Sequence, residues 1–75
     1  MAYTDTFATN LRVERAKKKL TQAEVAEAVG VTPAALCRYE DGSRVPTLPI
    51  VERLADFYDT TMDYLVGRNG SFQAQ

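Results

Sequence analysis

The chain has 75 residues, a formal net charge of −1, 45% apolar and 25% charged residues, and one cysteine. A chain of this length forms one domain with a small core, and its composition is typical of a globular protein. No apolar run approaches the roughly 18 residues that span a bilayer, and the N-terminus has no signal-peptide pattern, so we expect a cytoplasmic location without membrane contact.

The chain lacks the residues and motifs that form most catalytic and metal-binding sites. It contains no histidine, no glycine-rich phosphate loop and no cluster of metal-ligating residues, and no base is positioned to activate Cys37. We therefore expect neither enzyme activity nor a small-molecule substrate, a cofactor or a metal. A single cysteine cannot form an internal disulfide, which fits a reducing compartment.

The first predicted helix starts near Thr4 or Asp5 and runs to about Lys18, because Phe7 and Leu11 recur at helical spacing. The final residues of this helix are basic, which complements the negative end of the helix dipole.

Two short helices joined by one sharp turn follow. Thr21 and Glu24 form a capping-box pattern at the start of helix 2, and Thr32 caps helix 3. Gly30 occupies the turn, where a positive φ is expected, and Gly42 ends helix 3. The apolar residues expected on the buried faces are Val25, Ala26, Val29, Val31, Leu36 and Tyr39.

Helix 4 is predicted from its cap Thr47 to about Tyr58, and helix 5 from its cap Thr61 to about Val66. The expected core stripe of helix 4 consists of Leu48, Val51, Ala55 and Tyr58. The sequence thus predicts an all-α, compact five-helix bundle that forms one domain over residues 1–67, followed by a short polar tail over residues 68–75.

Several short motifs occur in a characteristic order. They are Leu11-Arg12-x-x-Arg15, Leu20-Thr21-Gln22, Gly30-Val31-Thr32, Glu40-x-Gly42 followed by Pro46, and Thr61-x-Asp63-Tyr64-Leu65-Val66-Gly67. Together they resemble the Cro and phage-repressor type of helix-turn-helix, also called the xenobiotic response element family, over residues 7–67. The resemblance implies a lambda-repressor-like domain that binds double-stranded DNA and places helix 3 in the major groove.

In the resembled family, the outer positions of helix 3 read base edges. The candidates here are Pro33, Ala34, Cys37 and Arg38. The Arg38 guanidinium can donate two hydrogen bonds to guanine O6 and N7, and the alternative is a contact with a phosphate or with Asp41. Many family members carry glutamine, asparagine or serine on this face, so specificity here either depends on Arg38, methyl packing and DNA shape or is modest.

A second set of residues is expected at the DNA backbone. By resemblance these phosphate-contacting residues are Gln22, Thr32, Ser43, Arg44 and Lys19. The segment from Arg12 to Arg44 has seven basic and five acidic residues, whereas the remainder from Val45 onward has two basic and four acidic ones. Positive charge is therefore concentrated in the half that is expected to face DNA. The resemblance also implies a structural ion pair between Arg15 and Glu40.

Apolar residues beyond the needs of a small core indicate a partner. A second row on helix 4 includes Ile50, Leu54 and Phe57, although Leu54 also fits the core. We expect a homodimer through helices 4 and 5, with an interface formed by Ile50, Phe57, Tyr64 and Phe72.

The predicted function is a sequence-specific DNA-binding transcriptional regulator, a repressor that acts as a dimer. Two alternatives stay open: an antitoxin that represses its own operon and binds a toxin, and a protein-interaction module that has lost DNA binding. For Cys37, a redox switch is the alternative to a small packing residue, because its thiol is expected on the DNA-facing surface near Arg38.

Overall fold

The computed structural model describes residues 3–67, including the side chains of residues 6–67, and contains only helices in that range. The helices are α1 (Tyr3–Lys18), α2 (Gln22–Val29), α3 (Pro33–Asp41), α4 (Leu48–Phe57) and α5 (Met62–Leu65). The predicted all-α, five-helix fold is confirmed. None of the helices in the described range is both long and apolar enough to cross a membrane.

Local hydrogen bonds explain where α2 begins and ends. The Thr21 hydroxyl accepts from the Glu24 backbone N–H at 3.1 Å, and the Glu24 carboxylate accepts from the Thr21 backbone N–H at 2.8 Å. At the other end Gly30 has φ of 80°, a conformation that glycine adopts without the steric penalty of a Cβ. The sharp turn into α3 is therefore encoded within ten residues of sequence.

The starts of the later helices follow the same logic, with one exception. Thr32 and Thr61 accept hydrogen bonds from the backbone N–H groups of Ala35 and Tyr64, at 3.1 and 3.0 Å. Thr47 has the extended backbone of a cap residue, but its side chain makes no capping hydrogen bond. The helix nevertheless starts there because Pro49 fits the first turn, where its missing N–H is not needed.

The core is formed mainly by apolar side chains from all five helices. Its buried members are Phe7, Leu11, Val25, Ala26, Val29, Leu36, Tyr39, Val51, Leu54, Ala55, Tyr58 and Leu65. The predicted core position of Leu48 is wrong: Leu48 is 68% exposed, whereas Leu54 is 0% exposed. Leu48 is the first residue of α4 and lies at the exposed end of the helix, while Leu54 lies in the middle turns that pack inward.

A buried carboxylate joins α1, α2 and α3. Glu40 is 2% exposed, and its carboxylate accepts from Arg15 Nε at 2.8 Å, from Arg15 Nη2 at 3.0 Å and from Gln22 Nε2 at 3.0 Å. Arg15 also donates to the Leu20 carbonyl at 2.9 Å, and Arg12 donates to the Glu40 carbonyl. The hydrogen bonds that Arg15 donates to Glu40 raise the pKa of Arg15. The ion pair expected between Arg15 and Glu40 is present and fixes how α3 lies against α1.

A second buried carboxylate joins α1 to α5. Glu14 accepts from the Tyr64 hydroxyl and from Lys17 Nζ, each at 3.0 Å. Asn10 donates to the carbonyls of Tyr64 and Leu65 at 2.9 and 3.1 Å, which satisfies the end of α5. The short helix α5 is thus held by polar contacts as well as by the burial of Leu65.

We predict that Arg15→Ala lowers the free energy of unfolding by about 2–4 kcal/mol, because the Glu40 carboxylate would remain buried without its cation. A loss of that size lowers Tm by at least about 8 °C in a domain of this size. Thermal unfolding followed by circular dichroism measures it, with Lys18→Ala as the control that removes one positive charge from the exposed side of the same helix. An unchanged Tm for Arg15→Ala would contradict this role of the pair.

Tyr58 provides a second test of the core. Its hydroxyl is buried and has no hydrogen-bond partner among the described residues, and burial raises the pKa of Tyr58 to about 12. Tyr58→Phe should therefore leave stability near neutral pH unchanged or raise it by up to about 1 kcal/mol.

The same substitution should also change the alkaline behaviour. The phenol ionises near its ordinary pKa of 10 in the unfolded chain but only near about 12 in the folded one, so the native protein loses stability as pH rises between these values. Urea unfolding near neutral pH and at about pH 11 should show a smaller alkaline loss for Tyr58→Phe than for the wild type. Equal losses in the two proteins would exclude the buried phenol as the cause.

Candidate nucleic-acid interface

The outer face of α3 is set by what its inner face buries. Leu36, Tyr39 and Glu40 are buried, and helical periodicity turns the opposite side of α3 toward solvent. The predicted base-facing residues all lie on that exposed side: Pro33, Ala34, Cys37 and Arg38. Three of these four side chains are small or apolar, and Arg38 is the only charged residue among the four.

Arg38 does not form the contact with Asp41 that was the alternative to a DNA contact. Within residues 3–67 its side chain forms neither an ion pair nor a hydrogen bond, although its charge contributes to a lowered pKa of Asp41. The main cause of that lowered pKa is hydrogen bonding from Ser43, whose backbone N–H donates to Asp41 Oδ1 at 2.8 Å. The guanidinium of Arg38 is thus available to an external acceptor.

The segment after α3 is anchored to the helix by its backbone. The Arg38 carbonyl accepts from the N–H groups of Gly42, Ser43 and Arg44, with distances of 3.1 and 3.3 Å for the last two. Ser43 and Arg44 are exposed. Because these hydrogen bonds already order its backbone, Arg44 can contact a phosphate without a further ordering of the segment.

The remaining predicted phosphate contacts lie at three helix ends. Gln22 is the first residue of α2 and is half-buried, because its amide nitrogen donates to Glu40. Thr32 is exposed, and its hydroxyl oxygen accepts from Ala35 at the start of α3. Lys19 is exposed and has a left-handed φ of 57° just after α1. The start of α2 combines unpaired helix N–H groups with this amide, a combination that favours an anion.

The predicted dimer residues are less exposed than their apolar pattern indicated. Ile50, Phe57 and Tyr64 are each half-buried and pack against the core. The Tyr64 hydroxyl is also bound to Glu14. Phe72 lies outside the described residues. In the described part of the chain, the large apolar side chains classed as exposed are Val13, Val45 and Leu48.

Two further arginines, whose roles the sequence did not indicate, support the site. Arg12 donates to the Glu40 carbonyl and thereby holds the last turn of α3. Arg53 Nη1 lies 3.5 Å from the Val29 carbonyl at the end of α2, beside the turn at Gly30. Neither contact has a signal in sequence spacing, since each joins residues of different helices. Cys37 is exposed and unpaired, as a free thiol.

Comparisons with known proteins agree with this architecture. A family model described as "Helix-turn-helix domain" matches residues 6–65. The chain is 38% identical over 60 residues to the cryptic phage CTXphi transcriptional repressor RstR of Vibrio cholerae, a match that covers 80% of this chain and 54% of the relative. It is 39% identical over 54 residues to the HTH-type transcriptional regulator AnsR of Bacillus subtilis strain 168, covering 72% of this chain and 47% of the relative.

A similar structure is the solution structure of the SOS-response transcriptional repressor LexA from Eubacterium rectale. The TM-score is 0.83 at 28% sequence identity, and the match covers 89% of this chain and 71% of that one. The chain spans about half the length of the curated relatives it matches. The matched model covers the whole helix-turn-helix and the helices that support it, so this chain belongs to the helix-turn-helix domain family, of the Cro and phage-repressor type.

Proposed function

We propose that the chain is a sequence-specific DNA-binding transcriptional regulator, not an enzyme, that acts in the cytoplasm as a repressor. The observation that carries the proposal is an unpaired, exposed arginine on the outer face of α3, in a helix whose inner face is held by a buried ion pair. The names of two relatives, a transcriptional repressor and a transcriptional regulator, support the same function.

In this proposal α3 enters the major groove and Arg38 reads a guanine through two hydrogen bonds. The small side chains of Ala34 and Cys37 allow close approach and can pack against thymine methyl groups, while Pro33 begins the helix at the groove. Because Arg38 is the only one of these four residues whose side chain forms strong directional hydrogen bonds, part of the specificity comes from DNA shape.

Phosphate contacts position the helix without reading sequence. The residues proposed for this role are Gln22, Thr32, Ser43, Arg44 and Lys19. Gln22 is the first residue of α2, and the other four lie on segments beside the helices. Among the five, Arg44 and Lys19 bring positive charge. Binding should weaken with added salt, since each neutralised phosphate releases counterions.

A single domain of this size reads only a few base pairs, so we propose a homodimer on two half-sites about one DNA turn apart. The subunits meet through α4 and α5, where Ile50, Phe57 and Tyr64 keep part of their surface exposed, with Phe72 added from the tail. A toxin could occupy the same surface if the protein is an antitoxin that represses its own operon.

A second candidate function is a protein-interaction module that has lost DNA binding. The net charge of −1 and the lack of amide or hydroxyl side chains on the outer face of α3 favour it. Selection of bound duplexes from a random DNA pool separates the two functions. Recovery of a symmetric site supports the regulator, whereas no binding to any duplex at low or moderate salt supports the interaction module.

We predict that Arg38→Ala weakens binding to the selected site by about 1–3 kcal/mol and relaxes the preference at one base pair. Arg44→Ala should instead weaken all sequences alike and reduce the salt dependence. Arg38→Lys is the matched control, because it keeps the charge but loses the planar fork of donors. If Arg38→Ala weakens all sequences alike and leaves the base preference unchanged, Arg38 contacts a phosphate and not a guanine.

The dimer is tested by the spacing of the half-sites. Sedimentation should show a dimer at high micromolar concentration or on a two-half-site duplex. Inserting about five base pairs between the half-sites places them on opposite faces of the DNA and should reduce affinity to that of a single half-site. A monomer under both conditions, with no effect of the insertion, would exclude the homodimer.

A further inference from the structure

One carboxylate oxygen serves donors from two different helices. Glu40 Oε1 accepts from Arg15 Nη2 and from Gln22 Nε2, each at 3.0 Å, while Oε2 accepts from Arg15 Nε at 2.8 Å. Glu40 is 2% exposed, so solvent has almost no access to replace either donor. The ion pair and the amide at the start of α2 therefore share one acceptor.

This arrangement determines the orientation of the Gln22 amide. An ionised carboxylate can only accept hydrogen bonds, whereas the amide has an oxygen that accepts and a nitrogen with two N–H donors. If the amide were flipped, its oxygen would face the oxygen of Glu40 and the hydrogen bond would be lost. Only the orientation that points nitrogen at Glu40 is favourable, and it leaves the second N–H without a partner among the described residues.

We infer that Glu40 is a positioning residue for DNA binding: it holds the Gln22 amide so that the second N–H can donate to a backbone phosphate. This inference rests on the proposed function, in which Gln22 contacts DNA. An anion at this place would also meet the unpaired backbone N–H groups of the first turn of α2. Glu40 thus links the ion pair that supports α3 to a contact that holds the DNA.

A double-mutant cycle on the selected duplex tests the link. Gln22→Ala and Glu40→Gln should each weaken binding by about five- to tenfold, the size of one hydrogen bond. The double variant should be no weaker than the weaker-binding single variant, because both changes remove the same contact. Circular dichroism establishes that each variant is folded at the assay temperature.

Glu14→Gln is the matched control. Glu14 is the other buried carboxylate of the described chain, and it bonds to Tyr64 and Lys17 and not to Gln22. In the Glu14→Gln background, Gln22→Ala should weaken binding by the same factor as in the wild type. If Glu40 has only a structural role, Gln22→Ala should weaken binding by this same factor in the Glu40→Gln background as well. That result would overturn the inference.

If Glu40→Gln does not fold, a variant that lacks both charges of the ion pair replaces it in the test. Arg15→Met with Glu40→Gln leaves no unpaired buried charge, and exchanges of this kind are often tolerated. The cycle with Gln22→Ala is then repeated in that background with the same expectation. An undiminished effect of Gln22→Ala there also overturns the inference.

Nuclear magnetic resonance of the free protein gives a readout that does not need DNA. The side-chain amide protons of Gln22 should exchange slowly with water and have separated shifts in the wild type and in Glu14→Gln, but not when Glu40 is replaced. Unchanged signals without the Glu40 carboxylate would overturn the inference. A wild type that shows these signals but binds no duplex would instead contradict the proposed function.

Discussion

A carboxylate buried at the junction of three helices constrains how this small domain can assemble. Removing a charge from water costs several kcal/mol unless donors replace the lost hydration. Glu40 recovers that cost only where Arg15 from α1 and Gln22 from α2 converge on it. The three helices can satisfy this carboxylate in one relative arrangement, and that arrangement determines which side of α3 faces solvent.

The exposed side of α3 follows from this constraint, and so does the segment after it. The inner residues Leu36 and Tyr39 are buried beside Glu40, which leaves Arg38 outside without an intramolecular acceptor in the described chain. The Arg38 carbonyl meanwhile accepts the backbone N–H groups that order the segment leading to Arg44. One residue therefore contributes a free guanidinium through its side chain and an anchor through its backbone.

Polar contacts also hold α5, where a partner subunit is proposed. Asn10 and Glu14 of α1 hold α5 through its terminal carbonyls and the Tyr64 hydroxyl. The Tyr64 hydroxyl already donates to Glu14, and the residue as a whole is half-buried. The residues available to a second subunit are those whose surface remains exposed after the core has formed, and Ile50, Phe57 and Tyr64 each keep only part of theirs.

The sequence alone determined the features that depend on contacts within a few residues. Thr21, Glu24 and Thr32 begin their helices through hydrogen bonds to residues three positions away, and Gly30 and Gly42 end helices because only glycine takes a left-handed φ without strain. The number of helices and their order follow from such local rules.

Only the tertiary structure decided which helix faces are covered. Leu48 and Leu54 both fit an apolar stripe of α4, yet only Leu54 lies in turns that contact other helices. The hydrogen bond between Tyr64 and buried Glu14 joins residues 50 positions apart, and the one between Gln22 and Glu40 joins residues 18 positions apart. Sequence spacing does not predict how the helices that carry these residues lie relative to one another. A hydrophobic pattern predicts which side of its own helix a side chain lies on. Burial also requires a neighbouring element that covers that side, and the packing of the whole chain determines which elements are neighbours.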